Sequence, residues 1–328
     1  MVTPVDAAAS DPVGAEFFLA IDVGGTKLAA AQVDGDGVVL RRGQVATAPT
    51  AAGHGDELWL TLLGLIDDVC AGGSPIDVGV GCGGPMRWPA GAVSPLNLPA
   101  WRDYPLRDRL RTRFPDTEVR VANDAIAMTV GEHWRGAGRG ARGLLGIVVS
   151  TGVGGGLVLD GRVVAGLTGN AGHIGHVVVD PDGPPCACGG RGCLEAIARG
   201  PALVQWAIDQ GWQPEDDTSA DGRALLAGAR AGDQVCAAAF ERAGTALGIA
   251  IGSAAHLLEL DVVAVGGGLS AAGELLLGPA RSAFAEHVRM SFAAGCRIVE
   301  AELAVDAGLI GAAAFVAAGD RYWPAGAD

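Results

Sequence analysis

Apolar residues recur along this 328-residue chain in short runs, and Gly-rich turns separate the runs. Segment 16–45 predicts a strand, a Gly turn, a second strand, a hairpin turn and a third strand. Segment 57–72 carries apolar residues at helical spacing and predicts a helix. Segment 143–164 repeats the strand and turn order of 16–45. Two α/β lobes of like topology are the simplest architecture for this internal repeat.

The remaining elements fit the same α/β architecture. They are strands at 76–84 and 261–270, a strand that enters a helix at 119–136, and helices at 105–114, 224–260 and 306–319. We divide the chain into a flexible tail, 1–15, an N-terminal lobe, 16–122, completed by the C-terminal helix 306–322, and a C-terminal lobe, 123–305. Because α/β proteins bind ligands at the carboxyl ends of strands, we expect the site in a cleft between the lobes.

Composition narrows the class of protein. Hydrophobic residues make up 49% and charged residues 18%, which fits a globular protein with a large core. The net charge of -14 lacks the basic footprint of a duplex-DNA binder, so we predict no nucleic acid partner. No apolar run reads as a membrane span, and the N-terminus lacks a signal-peptide pattern. We therefore predict a cytoplasmic protein with no membrane partner.

A cysteine cluster is the most specific chemical signal in the chain. Cys186, Cys188 and Cys193 form C-x-C-x4-C, and His176 lies a short loop upstream. A Cys3His set is a full complement for a tetrahedral structural zinc site, within a loop spanning 176–193. One possibility is that the cluster has a purely structural role and only stabilises this loop. Alternatively, the metal fixes Glu195, just past the last ligand, beside a substrate.

Two Gly-rich turns follow buried strands, at 22–27 and 150–156. Backbone N–H groups in such turns can approach phosphate closely because no Cβ blocks them. Thr26 adds a hydroxyl donor, and Asp22 can hold Mg2+ through water. Each turn alone is equally consistent with a plain hairpin, but two copies in matching contexts favour phosphate binding. Neither is a Walker A motif, because neither ends in G-K-[ST] before a helix.

Three further polar or glycine positions each have a structural alternative. Asp124 opens a predicted helix after Asn123, so it is either an N-cap or a general base for phosphoryl transfer. Beside two phosphate turns we favour the base. Asn97, in the segment LNLPAW, is a turn residue or a polar ligand contact. The glycines at 266–268 form a strand-to-helix turn or a surface for a nucleotide.

These motifs together resemble the ROK family of bacterial sugar kinases and sugar-responsive repressors. The resemblance rests on DVGGTK, the NDA turn, STGVGGG, GHIGH followed by C-x-C-G-x2-G-C-x-E, VVAVGGG and DAGLIGAA, and it covers residues 17 to about 318. It implies the two-lobed actin-like ATPase (ribonuclease H-like) fold with ATP between the lobes. It also implies transfer of the γ-phosphoryl group, commonly to the 6-hydroxyl of a sugar.

The resemblance assigns roles to individual residues. Asp124 falls on the catalytic base, and Asn97, Asn123, Asp124, His173, His176 and Glu195 fall on the sugar side. The nucleotide side comprises Asp22, Gly24, Gly25, Thr26, Lys27, Thr151, Gly152 and Gly267. The zinc ligands are His176, Cys186, Cys188 and Cys193. The implied cofactors are ATP, catalytic Mg2+ and structural Zn2+, and family members are commonly homodimers or homotetramers.

His173 departs from the family pattern. Glucokinase-like members usually carry a Glu at this position, where it contacts sugar hydroxyls. A carboxylate only accepts hydrogen bonds, whereas a neutral imidazole both donates and accepts. The GHIGH segment is similar to N-acetylmannosamine kinases, whereas NLPAWRDYPL is similar to glucokinases. The expected substrate is therefore a hexose or modified hexose, with N-acetylmannosamine, glucose and an amino-hexose as the alternatives.

Two other functions remain open at this level. The family includes sugar-responsive transcriptional repressors, which carry an N-terminal helix-turn-helix domain. Only a short Ala/Pro-rich tail precedes the first strand here, and the net charge is acidic. A catalytically silent sugar-binding protein is the other alternative. The presence of Asp124 favours an ATP-dependent sugar kinase over both.

Overall fold

The computed structural model describes residues 6–7, 16–47, 54–214 and 220–324. The predicted tail, 1–15, lies outside these residues except for Asp6–Ala7, which pair antiparallel with Val39–Ala46. Every strand predicted from the sequence is present. The strands are β1 (Asp6–Ala7), β2 (Phe18–Val23), β3 (Lys27–Val33), β4 (Val39–Ala46), β5 (Val78–Cys82), β6 (Met86–Arg87), β7 (Ala92–Val93), β8 (Val119–Asn123), β9 (Gly143–Val149), β10 (Val153–Leu159), β11 (Arg162–Val163), β12 (Val262–Gly266) and β13 (Arg297–Glu300).

The predicted helices are also present, with additional short ones. Helix α1 buries Leu58, Leu62 and Val69 on one face and ends at Cys70, where the C-cap residue Ala71 has a left-handed backbone. The helices are α1 (Gly55–Cys70), α2 (Leu106–Arg113), α3 (Asp124–Arg135), α4 (Leu194–Ala198), α5 (Gly200–Asp209), α6 (Gly222–Arg230), α7 (Gln234–Leu258), α8 (Glu274–His287), α9 (Ser291–Ala294), α10 (Ala307–Ala317) and α11 (Gly319–Tyr322). Short 3-10 helices lie at Ile174–His176, Gly268–Ala272 and Ala304–Asp306.

The N-terminal strands form a six-stranded sheet in the order β1-β4-β3-β2-β5-β8. Strand β3 is antiparallel to β2 and β4, whereas β2, β5 and β8 run parallel. The register pairs Asp22 with Gly81 and Cys82 with Asn123. Since parallel strands end at the same edge of a sheet, this register brings the polar residues at the ends of β2 and β8 to one edge.

The second sheet has the order β11-β10-β9-β12-β13, with β12 parallel to both β9 and β13. The chain divides into two compact units. The first comprises Met1–Gly140, Gly156–Ala171 and Val305–Asp328, and the second comprises Ala141–Gly155 and Gly172–Ala304. In the first unit α10 packs against α3 at backbone distance, because a Cβ on Gly311 would overlap the Ala127 carbonyl oxygen.

Helix α7 corrects one expectation from the sequence. By length and composition it can cross a membrane, contrary to our statement that no segment reads as a span. However, 61% of its most apolar window is buried inside the protein. It packs tightly on α8, where a Cβ on Gly244 or Gly248 would overlap the carbonyl oxygens of Leu276 or Ala280. These contacts are those of a core helix in the second unit.

Candidate active site

The first Gly-rich turn joins β2 to β3 and exposes its tip. The Gly24 N–H donates to the Lys27 carbonyl oxygen at 3.0 Å, and Thr47 Oγ1 donates to the Gly24 carbonyl oxygen at 3.0 Å. These bonds close the turn and leave Gly25 and Thr26 exposed. An exposed backbone of this kind can receive an anionic group.

Asn97 lies directly against this turn. A Cβ built on Gly25 would be only 2.5 Å from the Cβ of Asn97, so only glycine permits the approach. Asn97 also sits in a local turn, in which the Leu98 N–H donates to the Pro95 carbonyl oxygen at 3.0 Å. Trp101 is fully buried and anchors the segment through a 3.0 Å bond from Nε1 to the Gly55 carbonyl oxygen. Asn97 is therefore both a turn residue and a neighbour of the predicted phosphate turn.

Two carboxylates influence each other at the edge where β2, β5 and β8 end. Burial, and to a lesser degree the charge of Asp124, raise the pKa of Asp22, and Lys27 opposes them; the net result is a pKa of about 6. Gly81 lies on the strand between them, and the distances from a Cβ built on it locate both residues. A Cβ there would be 3.5 Å from the Asp124 Cα and 4.0 Å from Asp22 Oδ1. Asp22 also lies near the N-terminal turn of α10, since a Cβ on Gly308 would be 3.7 Å from its carboxyl carbon.

The start of α3 distinguishes the roles open to Asp124. Asn123 is the N-cap residue, with extended backbone, and its Oδ1 accepts the Ala125 N–H at 2.9 Å. Asp124 is the first helical residue, and its Oδ1 accepts from the same N–H at 2.9 Å. Because Asn123 already caps the helix, α3 does not depend on Asp124 for its N-terminus. Helix capping therefore does not account for an aspartate at position 124.

Asp22→Asn should stabilise the protein at alkaline pH. The folded-state pKa of Asp22, about 6, lies above its ordinary 3.8, so its stabilising contribution is complete below about pH 4 and is lost as the pH rises through 6. We expect the variant to gain about 1–2 kcal/mol over wild type at pH 8 and nothing near pH 4. Urea unfolding at both pH values, without added Mg2+, measures the difference. Asp68→Asn, on the exposed face of α1, is the control, and an equal effect at both pH values would contradict the assignment.

The second Gly-rich turn connects β9 to β10. The Ser150 N–H donates to the Gly152 carbonyl oxygen at 2.9 Å, and Thr151 is exposed at the tip. Gly267 follows the neighbouring strand β12 with φ of +92°, and a Cβ there would be 2.5 Å from the Val149 carbonyl oxygen. Only glycine fits that position. Thr151, Gly152 and Gly267 therefore lie at the ends of two adjacent parallel strands.

The predicted zinc ligands form one cluster. The ligand atoms of His176, Cys186, Cys188 and Cys193 all lie within 4.8 Å of one another. Cys188 Sγ is 3.8 Å from Cys193 Sγ, and Cys186 Sγ is 3.7 Å from His176 Nδ1. Tetrahedral zinc, with bonds of about 2.3 Å to sulfur and 2.0–2.1 Å to nitrogen, requires S–S and S–N separations of about 3.8 and 3.6 Å. The cluster therefore fits a structural zinc ion.

His173 and Glu195 flank this cluster. The His173 ring lies beside His176, with ring centroids 5.0 Å apart. Glu195, in the first turn of α4, is part-buried and accepts the Val153 N–H through Oε2 at 2.9 Å. Glu195 is therefore held within the structure and is not a plain surface residue.

Each unit thus assembles a subset of the predicted residues. The first unit brings together Asp22, Gly24, Gly25, Thr26, Lys27, Asn97, Asn123 and Asp124, and the second brings together Thr151, Gly152, Gly267, His173, His176, Glu195 and the three cysteines. Sequence reasoning missed Gly81 and Gly308, which border the two carboxylates. Their only signals are a glycine inside an apolar strand and a glycine at a helix start.

Comparison with known proteins agrees with this geometry. A family model described as the ROK family matches residues 18–318. The chain is 34% identical over 311 residues to a glucokinase from Thermotoga maritima, covering 91% of this chain and 96% of that protein. It is 32% identical over 296 residues to an N-acetylmannosamine kinase from Yersinia pseudotuberculosis, covering 90% and 96%. The structure of a ROK family glucokinase from Streptomyces griseus in complex with glucose and AMPPNP matches with a TM-score of 0.78 and 32% identity, covering 90% of this chain and 98% of that chain.

The chain therefore belongs to the ROK family. Its mixed α/β structure with open sheets is the actin-like ATPase fold of ROK sugar kinases, which confirms the predicted fold class. With kinase relatives at this level of identity over nearly the whole chain, it is an enzyme of the sugar-kinase class. The predicted lobe boundaries and the role of each site residue stay predictions.

Proposed function

We propose that this kinase transfers the γ-phosphoryl group of ATP to the 6-hydroxyl of a hexose or modified hexose, with Asp124 as the general base. The observation that carries the proposal is the start of α3, where Asn123 caps the helix and Asp124 lies close enough to Asp22 to raise its pKa. Asp124 accepts the hydroxyl proton as the sugar oxygen attacks phosphorus and the bond to the ADP oxygen breaks. Kinases gain most of their rate from such positioning and from charge stabilisation.

The nucleotide side of the proposal uses the two Gly-rich turns. Their exposed backbones suit phosphate oxygens, and Thr26 and Thr151 add hydroxyl donors. Above its pKa of about 6, Asp22 is ionised and suited to hold Mg2+ through water. Bound Mg2+ would neutralise charge on the transferring phosphoryl group. Lys27 adds a positive charge close to Asp22.

The sugar side combines Asn97, Asn123, His173, His176 and Glu195. His176 Nδ1 faces Cys186 Sγ at 3.7 Å, so in the metal-bound state its other ring nitrogen can contact a sugar hydroxyl. His173 stands beside that ring and supplies both a donor and an acceptor. We propose that this pair selects among N-acetylmannosamine, glucose and amino-hexoses.

A coupled ADP-release assay tests the proposed function. The panel is glucose, N-acetylmannosamine, mannose, fructose, glucosamine and 3-amino-3-deoxyglucose, and turnover of at least one is expected. Lys27 is the only lysine in the sequence, so its acetylation by acetic anhydride reports on the first turn. Mg-ATP should protect Lys27 from acetylation. Absence of turnover on every sugar would reject the kinase reaction in favour of a non-catalytic sugar-binding protein.

His173→Glu should shift the sugar preference toward glucose. The variant replaces a group that donates and accepts with one that only accepts, as in glucokinase-like members. We expect the ratio of kcat/KM for glucose to that for N-acetylmannosamine to rise by about tenfold or more, the size that one pocket contact supplies. The same assay measures it. His287→Glu, in the last turn of α8, is the matched control, and an unchanged ratio in His173→Glu would reject the selective role.

We further propose that the enzyme is cytoplasmic, forms a homodimer or homotetramer, and has sugar and ATP as its partners without nucleic acid or membrane. The acidic net charge of -14 supports the absence of a nucleic acid partner. Light scattering during size-exclusion chromatography tests the oligomeric state. A monomer at micromolar concentration would reject that part of the proposal.

A further inference from the structure

Both chain segments that carry the zinc ligands reach the same residue of the second Gly-rich turn. Val153 is the first residue of β10, follows Gly152 directly and is 2% exposed. One segment touches its N–H group, and the other touches its carbonyl oxygen. We call these two contacts the Val153 clamp.

The first half of the clamp is Glu195. Cys193 precedes α4 as its N-cap residue, and Glu195 follows two residues later. Its Oε2 accepts the Val153 N–H at 2.9 Å. The same oxygen would be 3.0 Å from a Cβ on Gly152, so the carboxylate fills the space that a side chain there would need.

The second half of the clamp is the segment that leads into His176. A Cβ on Gly175 would overlap the Val153 carbonyl oxygen, so the two backbones are in direct contact. A Cβ on Gly155, two residues along β10, would be 2.6 Å from the Gly172 carbonyl oxygen. The segment before His176 therefore lies flat against the first residues of β10, and it can do so only with glycine at these positions.

The two halves are joined to each other beside the metal ligands. The Leu194 N–H donates to the Val177 carbonyl oxygen at 2.9 Å, and Val178 and Cys193 form an antiparallel bridge. His176 and Cys193 each lie next to this pairing and each belong to the ligand cluster. A bound metal would therefore tie both halves of the clamp to one rigid point.

We propose that the zinc cluster, acting through the Val153 clamp, holds the turn of Ser150, Thr151 and Gly152 in its nucleotide-binding conformation. Glu195 is then a positioning residue for ATP in addition to its proposed sugar contact. The inference rests on the proposed assignment of Thr151 and Gly152 to the ATP phosphates. It predicts that metal loss weakens nucleotide binding even without sugar, because a turn that samples other conformations binds in proportion to its competent fraction.

Hydrogen exchange tests the clamp independently of catalysis. In Glu195→Ala, the peptide containing residues 150–156 should exchange at least about tenfold faster, since the Val153 N–H loses its acceptor. Gly152→Ala, whose Cβ would be 3.0 Å from Glu195 Oε2 and would push against the carboxylate, should act in the same direction. Glu195→Gln keeps an acceptor oxygen and should exchange nearly as wild type does. Metal analysis must show retained zinc in all three variants, and unchanged exchange in Glu195→Ala would overturn the clamp.

Nucleotide affinity tests whether the Val153 clamp contributes to ATP binding. The Kd for Mg-AMPPNP, measured calorimetrically without sugar, should rise about five- to tenfold in Glu195→Ala and in zinc-depleted protein that remains folded. Asp182→Ala, which removes an exposed carboxylate from the same loop, should leave it unchanged. An unchanged Kd in Glu195→Ala would confine Glu195 to sugar binding and overturn the inference. Wild-type protein that binds no AMPPNP would reject the proposed function and the nucleotide consequence, while the exchange result still decides the clamp.

Discussion

Asp124→Asn is expected to lower kcat by about 100- to 10,000-fold, the contribution of a positioned general base. The amide is nearly isosteric with the carboxylate and can still accept the Ala125 N–H, but it cannot take the hydroxyl proton. Binding of sugar and of Mg-AMPPNP should stay measurable by calorimetry. A kinetic loss with retained binding is the signature of a group that acts in the transition state.

Stability separates this result from a structural defect. Because Asn123 caps α3, Asp124→Asn should change the free energy of unfolding by less than about 1 kcal/mol. Asp108→Asn, an exposed carboxylate in the first turn of α2, is the matched control and should retain wild-type kcat. Near-normal kcat in Asp124→Asn would refute the base assignment, and the proton would then have to leave by another route.

Cys188→Ser should lose the metal and destabilise the second unit. Cys188 is exposed, so the substitution removes a ligand with little loss of packing. Structural zinc in small sites contributes on the order of 10 kcal/mol to folding, and losing one thiolate forfeits much of it. We expect less than one zinc ion per chain, a fall in Tm of about 10 °C or more, and weakened sugar binding. Elemental mass spectrometry and calorimetry measure these quantities together.

The control is a cysteine outside the cluster. Cys296→Ser alters a buried thiol of the same unit and should keep its zinc. A wild-type protein without zinc would refute the metal assignment outright. Full zinc content in Cys188→Ser would instead show that three ligands and a water suffice.

Local patterns predicted most of the secondary structure because each depends on neighbouring residues. The apolar runs and glycine turns in 16–45 predicted β2, β3 and β4, and Asp221 and Asp233 cap α6 and α7 as their residue type favours. From the sequence alone we overlooked that α7 is long and apolar enough to cross a membrane, and hydropathy alone does not distinguish such a helix from a core helix. Only its packing on α8 makes that distinction.

The sequence likewise predicted some features of the candidate site, whereas only the structure showed others. Ligand spacing alone predicted the zinc cluster, because three cysteines within eight residues must lie close together. Spacing could not decide whether Asn123 or Asp124 caps α3, since both residue types cap helices. The backbone angles at Asn123 decided it. Spacing also could not show that Glu195 accepts the Val153 N–H, because this hydrogen bond joins residues 42 positions apart.

The sequence by itself determined the strands, the glycine turns, the cysteine and histidine cluster and the family, since these depend on residue type at short range. Tertiary structure alone decided which distant groups meet. The parallel register of β2, β5 and β8 places Asp22 near Asp124, and burial at that edge together with the charge of Asp124 raises the pKa of Asp22 to about 6. The tertiary fold likewise brings Gly175 and Glu195, which are distant in sequence, into contact with Val153. Charge and hydrogen-bond effects act over a few ångströms of space, so they follow the fold and not the order of residues.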